Sequence, residues 1–356
     1  MINLSKCSLG GLLVEISVLL GKLEAELESA NIYGRGVSKG PRKLLAKSLA
    51  SVSKLSKYLP RVSKRTNFAK LDEFFFSRAA LLPGGKEYWF IDVVSTEGDK
   101  TQLVLTFGSS YFKTRVNGQA AQGGKVAAVG WFHSGKKKVF VEKSLFLESG
   151  KGVLKTGAFT LRGAYPSYEL VAGKGTAIKF SKPERGVPYE ALAASAGTLG
   201  FGMFNLYLDA SGTIGGKKFV GSAYVQKVVV VAPFIPWNWV RLVFADRSAL
   251  DFFAVRLDKH DVGRNVLYLA TYRFASGRTV KLGDCRLRRL AKDRWLLEGK
   301  GVAAYMKTYA FKPFVIKGRG EFHYDEYMVE CTDFAFKGVR KQTGIGLIED
   351  AYGLML

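Results

Sequence analysis

The stretch from Gly221 to Leu257 reads GSAYVQKVVVVAPFIPWNWVRLVFADRSALDFFAVRL, and its reading decides the fold. An apolar block, Val228 to Val231, breaks at Pro233 and Pro236. Trp237 and Trp239 then arrive two residues apart, and the turn Asp246-Arg247-Ser248 separates two further apolar runs. Residues two apart in a strand share a face, so Trp237, Trp239 and Arg241 point one way and Asn238 and Val240 the other. An aromatic pair beside an arginine suits the mouth of a barrel or cleft. The same pattern also suits a packed ladder with Arg241 reaching for water at its end. Tyr224 and Gln226 share a face of the preceding strand, and the spacing predicts that they lie near this group. Asp251 sits inside Leu250-Asp251-Phe252-Phe253, where a carboxylate needs a partner if it is buried. Arg241 and Lys227 are the candidate partners. A working acid, a structural ion pair and an exposed edge residue all remain open for Asp251.

Outward from this stretch, the texture from Asn67 onward is short strands with glycine turns. Asn117-Gly118, Gly123-Gly124, Ser134-Gly135, Ser149-Gly150 and Gly215-Gly216 punctuate runs such as Glu87–Val94, Gln102–Phe107 and Tyr327–Phe336. Turn signals at intervals of about 8–12 residues predict antiparallel barrels or sandwiches. A faint repeat supports two of them. Tyr88-Trp89-Phe90, a charged turn and Leu103-Val104-Leu105 echo Trp237-Asn238-Trp239, the Asp246 turn and Leu250-Asp251-Phe252, about 150 residues later. The expected organisation is a helical extension over 1–66 and two β-domains, 67–212 and 213–356.

The extension has a different chemistry. Residues 8–30 carry leucines at helical spacing. Residues 33–71 contain no acid, and within them Pro41–Leu59 reads as a basic amphipathic helix. Leu45, Leu49, Val52, Leu55 and Leu59 lie on one side, and Lys43, Lys47, Lys54 and Lys57 on the other. That pattern fits contact with an anionic membrane surface, or a solvated face on a packed helix.

The 356-residue chain carries 54 Lys and Arg against 30 Asp and Glu, a net charge of +24. Such a charge attracts anionic partners without specifying a fold. Nucleic acid is the least favoured, since no helix-turn-helix, ribonucleoprotein or zinc-finger pattern occurs. Cys7, Cys285 and Cys331 form no disulfide framework and fit a reducing compartment. His133, His260 and His323 are too scattered for a zinc site, so no metal is expected. No cofactor is expected either, as no Walker, Rossmann or nucleophile-elbow pattern is present. No run is apolar enough to span a membrane as a helix. The expected location is the cytoplasm, peripheral on the inner face of the membrane if the basic helix docks there.

The motifs together resemble the AttH and carotenoid 1,2-hydratase superfamily of tandem lipocalin-like β-domains. Glu87-Tyr88-Trp89-Phe90 is similar to that family's Glu-Trp-Trp-Tyr strand. Ala210-Ser211-Gly212 through Gly221-Ser222-Ala223-Tyr224 is similar to its domain junction. Trp237-Asn238-Trp239 with the Asp246 turn is similar to its Gly-Trp-Asp-Trp strand and turn. The likeness covers about residues 75–350. It implies an apolar ligand, isoprenoid- or lipid-like, in a β-barrel cavity, with Trp89 joining Tyr224, Gln226, Trp237, Trp239 and Arg241 around it. Hydration, cyclisation or isomerisation would be the chemistry, and a lipid carrier without catalysis the alternative. The hydratases carry an Asp-His-x-Trp element where this chain reads Gln226-Lys227-Val228-Val229. Protonating a carbon needs a strong general acid. The candidates left are Asp251 and Glu87, if burial raises their pKa.

Overall fold

The computed structural model describes residues 2–3, 85–120, 126–144, 147–150, 152–184, 189–196, 199–231, 234, 236–256, 265–341 and 343–355. The expected helices at 8–30 and 41–59, with Lys43, Lys47, Lys54 and Lys57, lie outside the described residues. So does Cys7.

In chain order the strands are β1 (Ile2–Asn3), β2 (Gly85–Ser95), β3 (Gln102–Ser110), β4 (Arg115–Val116), β5 (Gln119–Ala120), β6 (Val126–Ser134), β7 (Lys137–Ser144), β8 (Leu147–Gly150), β9 (Val153–Thr156), β10 (Phe159–Ala164), β11 (Ser167–Ala172), β12 (Ala177–Ser181), β13 (Tyr189–Ala196), β14 (Leu199–Ile214) and β15 (Lys217–Val231). The second half adds β16 (Trp237–Phe244), β17 (Ala249–Arg256), β18 (Asn265–Arg273), β19 (Thr279–Lys281), β20 (Arg286–Ala291), β21 (Arg294–Gly299), β22 (Val302–Gly318), β23 (Gly320–Phe336), β24 (Val339–Lys341) and β25 (Gly344–Met355).

Two sheets result, and both follow one plan. The first runs β7-β6-β3-β2-β15-β14-β12-β11-β10-β9-β8, and the second β1-β18-β17-β16-β25-β23-β22-β21-β20. In each, the first long strand pairs with both the next strand and the last one: β2 with β3 and β15, β16 with β17 and β25. This joins the first strand of each half to its last in a lipocalin-like way, and it is the structural form of the faint sequence repeat. Each closing seam needs a glycine. A Cβ on Gly221 would lie 2.0 Å from the Val94 carbonyl oxygen, and one on Gly346 would lie 1.8 Å from that of Arg241. Both contacts are impossible, so a larger residue would force the seam open.

Each sheet curls round its own core. Trp89, Ile91, Val93, Leu105, Phe159 and Phe180 belong to the first. Val240, Leu242, Phe252, Tyr272, Trp295 and Phe334 belong to the second. A third cluster lies between the sheets and includes Phe90, Trp131, Tyr224, Trp239, Met328 and Leu347. The first strands therefore bury both faces, one in a sheet's own core and the other between the sheets. That is why β2 and β16 read as near-continuous apolar runs instead of clean alternation.

The sheets are also joined by polar contacts. Tyr309 Oη donates to Gln102 Oε1 at 2.8 Å, Arg247 pairs with Asp209 at 3.0 Å, and Lys100 pairs with Glu330 at 2.6 Å. A piece of the first half, β4, pairs directly with β22 of the second. The expected division at 212/213 falls within the β14–β15 hairpin of the first sheet, and the chain passes from β15 of the first sheet to β16 of the second between Val231 and Trp237. Gly215-Gly216 is a tight hairpin turn, and in sequence such a turn looks the same as a domain junction. Tyr189–Ala196 pairs with β14 as a strand.

Candidate functional site

β2 and β3 of the first sheet face β16, β22, β23 and β25 of the second across a cleft of about 130 Å³. Its walls are mostly aromatic and apolar: Tyr88, Phe234, Trp237, Phe314, Phe322 and Tyr324 among them. The rings lock one another in place. Phe234 meets Trp237 edge-on at 5.7 Å and Phe322 at 5.3 Å, and Trp237 lies 4.9 Å from Phe322. Edge and tilted contacts of this kind are favourable beyond the area they bury.

Behind the wall lies a pair of acids. In the register of β23 and β25, Glu326 stands directly opposite Glu349, and both side chains are buried. Trp237 Nε1 donates to Glu349 Oε2 at 3.1 Å, and the Tyr324 hydroxyl donates to Glu349 Oε1. Trp131 Nε1, from the first sheet, donates to Glu326 Oε2. All these donors are uncharged. Burial pushes the Glu349 carboxyl up to about 7, against the pull of the Tyr324 and Trp237 hydrogen bonds. Burial and the neighbouring Glu349 push Glu326 well above the usual carboxylate range. Two carboxylates this close do not both ionise readily, and their environments separate their proton affinities. Tyr324 stays protonated, because burial and the adjacent Glu349 raise its phenol well above its ordinary value. A third buried carboxyl, Asp92, accepts from Gln102 Nε2 at 2.7 Å and is pushed up to about 6 by burial.

The structure brings most of the expected site residues together. Tyr224 stacks on Trp239 at 5.2 Å, and the Arg241 guanidinium lies 4.9 Å from the Tyr224 ring. Gln226 Nε2 donates to Tyr224 Oη at 2.8 Å and to Asn205 Oδ1 at 3.0 Å. Arg241 pairs with Asp251 at 2.6 Å; the two are cross-strand neighbours, and Arg241 is 1% exposed. Arg241 therefore does not reach for water. Burial alone would favour loss of its charge, but Asp251, Tyr207 and Asp92 hold it charged. These residues fill the layer next to the cleft, while Trp237 forms part of the cleft wall itself.

Trp89 lies in the core of the first sheet. Glu87 borders the cleft, but its carboxylate is held by Lys227 Nζ at 2.9 Å, with that ammonium 5.4 Å from the Trp89 ring in the core of the first sheet. Lys227 thus serves Glu87, and Asp251 takes Arg241. Sequence reasoning missed Glu326 and Glu349. The signal was present in Gly344–Met355, where Glu349-Asp350 interrupts an otherwise apolar strand, the same anomaly that drew attention to Asp251. Among the described residues, no group of three or more His, Cys, Asp or Glu is arranged to hold a metal ion.

No family model matches the sequence, and no curated protein matches it. Solved structures with a similar fold include an AttH protein of Nitrosomonas europaea, at 12% identity over 74% of this chain and 91% of that one, with a TM-score of 0.47. CghA aligns at 13% identity over 83% and 94%, with a TM-score of 0.47. Kievitone hydratase of Nectria haematococca aligns at 12% identity over 81% and 96%, with a TM-score of 0.38. At these identities and scores the likeness supports no inference about the chemistry of this chain.

Proposed function

We propose that the cleft between the sheets binds a long apolar molecule, isoprenoid- or lipid-like, and that Glu349 and Tyr324 transfer a proton to it. The observation that carries this reading is the placement of Glu349 behind two wall residues, Trp237 and Tyr324, that both donate to it. Tyr324 is part of the wall with its hydroxyl on Glu349, and Glu349 stands behind as a carboxyl that binds a proton near neutral pH. As Tyr324 gives its proton to an oxygen of the bound molecule, Glu349 replaces it, and the Trp237 hydrogen bond stabilises the carboxylate that develops.

An acid near 7 is too weak to protonate an isolated alkene carbon well. It suits hydrogen bonding to a carbonyl or enol oxygen, as a neutral carboxylic acid in an apolar site does. Isomerisation or cyclisation of a carbonyl-bearing chain therefore fits better than hydration of a plain double bond. The test is deuterium uptake next to the carbonyl of geranylacetone, with solvent water taking the α-proton as Tyr324 and Glu349 protonate the oxygen, followed by mass spectrometry. The wild-type protein should accelerate it and Glu349→Gln should not, with geranylacetone binding retained in both. Exchange at an equal rate in the two proteins would overturn the reading. Binding without any exchange would instead favour the carrier alternative.

Contact with an anionic membrane through Lys43, Lys47, Lys54 and Lys57 is a separate proposal, supported by the acid-free run at 33–71 and the charge of +24. Deleting residues 1–66 should weaken co-sedimentation with anionic vesicles, and added salt should do the same. Equal binding to neutral vesicles would contradict it.

A further inference from the structure

The cleft holds one group that this proton transfer does not use. Lys86 lies on the same face of β2 as Tyr88, Phe90 and Asp92, because side chains alternate along a strand. It is 3% exposed and lines the cleft, with Nζ 4.7 Å from the centroid of the Phe234 ring. We propose that Lys86 forms an imine with the aldehyde or ketone group of an apolar molecule seated in this cleft.

The inference rests on the reading that the cleft takes an apolar molecule, but not on the role given to Glu349. The amine nitrogen attacks the carbonyl carbon and forms the carbon–nitrogen bond. The carbonyl oxygen leaves as water with the two protons lost from nitrogen, so no oxidant, reductant or further reactant is needed. Three features suit the step. Lys86 is buried against the aromatic wall, and low exposure to water favours condensation over hydrolysis. Burial lowers the Lys86 amine to about 7, so a large fraction is neutral and nucleophilic at neutral pH. The Tyr88 phenol stands on the same wall and can donate to the departing oxygen. The aliphatic stem of Lys86 and the ring of Phe234 would meanwhile cover the hydrocarbon end of the ligand.

Citronellal, an apolar aldehyde, is the probe, with cyanoborohydride to fix any imine and peptide mapping to locate it on the full chain. Lys86 should be labelled on the order of a hundredfold faster than exposed lysines, the larger neutral fraction being partly offset by weaker basicity. Citronellol, which cannot condense, should bind and slow the labelling. Lys86→Met should lose the fast label, and Lys86→Arg should lose it too while keeping the charge. Labelling spread over exposed lysines, with Lys86 no faster, would overturn the inference even where citronellol still binds. Failure of citronellol to bind would remove the apolar-cleft reading and this inference together.

Discussion

Two pairs of acids sit one residue apart on the same two strands and face opposite ways. Asp325 and Asp350 are cross-strand partners toward the core side of the second sheet; Glu326 and Glu349 are cross-strand partners toward the cleft. Asp350 has a cation: Arg256 Nη2 lies 2.5 Å from its Oδ1, with Asn238 Nδ2 donating at 3.3 Å. Arg256 also donates to the Ala351 carbonyl at 2.9 Å, which ties β17 to β25 across β16. Among the described residues, the side-chain hydrogen bonds to Glu326 and Glu349 come from indole and phenol groups. Burial raises the Asp350 carboxyl, but Arg256 and Asn238 pull it toward the charged form, and the pair they make fixes structure. A buried carboxyl among neutral donors keeps a proton within reach. The difference marks which pair belongs to the frame and which to the chemistry.

The sharpest way to break that comparison is to remove the cation. Arg256→Met leaves Asp350 buried without its mate and should cost about 3–5 kcal/mol in denaturant unfolding. Glu349→Gln keeps the shape and both donors, and should cost little at neutral pH. If the two changes destabilise equally, the pairs are of one kind and the distinction fails.

A second test uses pH. The native Glu349 pKa, about 7, lies above its ordinary value of 4.5. The folded state thus binds the proton more tightly than the unfolded state does. Its contribution to stability is fully present below about 4.5 and is lost as pH rises through about 7. The loss is about 3 kcal/mol across that window. Asp92 and Asp325, each pushed up to about 6, act in the same direction. The comparison is therefore between wild type and Glu349→Gln at each pH. The variant should show a shallower fall in melting temperature from pH 5 to pH 8, and parallel curves would remove Glu349 as a proton holder.

The third test concerns the pair that was legible in the sequence. Asp251→Asn should lower stability by about 2–3 kcal/mol, because Arg241 is buried and its nearest carboxylate loses its charge. The loss should be smaller than for Arg256→Met, since the Asp251 side chain is 16% exposed and Asp92 still acts on Arg241. A normal melt would show that Asp92 and the Tyr207 and Tyr224 rings suffice.

What could be read in advance followed from local periodicity. Trp237, Trp239 and Arg241 share a face because they alternate on one strand, and Asp251 stands out because it interrupts an apolar run. The tandem β-plan followed from turn spacing and the aromatic repeat. Glu326 and Glu349 meet only because β25 returns to close the second sheet between β16 and β23, a register set by the whole fold. No local pattern contains that pairing. The same holds for the position of the cleft. Both cores are filled by large side chains, and the space opens where the outer faces of the closing strands meet, outside either barrel.

The smallest expected effect is the most specific. Tyr324→Phe removes one hydroxyl from the wall and one donor from Glu349, and leaves the ring contacts with Trp237 in place. The net loss in stability should be about 1 kcal/mol, the usual worth of one intramolecular hydrogen bond. The effect on titration should be clearer. The Tyr324 hydrogen bond favours the ionised form of Glu349, so losing it moves that carboxyl further up from about 7. The fall in stability with pH should therefore shift to higher pH in Tyr324→Phe, whereas in Glu349→Gln it should flatten. Deuterium uptake into geranylacetone should drop in both, because one variant lacks the group facing the ligand and the other the proton behind it. An upward shift with uptake unchanged would keep Glu349 as the proton holder and remove Tyr324 from its path to the cleft. No shift with uptake abolished would make the phenol itself the donor, and Glu349 would then join Asp350 as part of the frame.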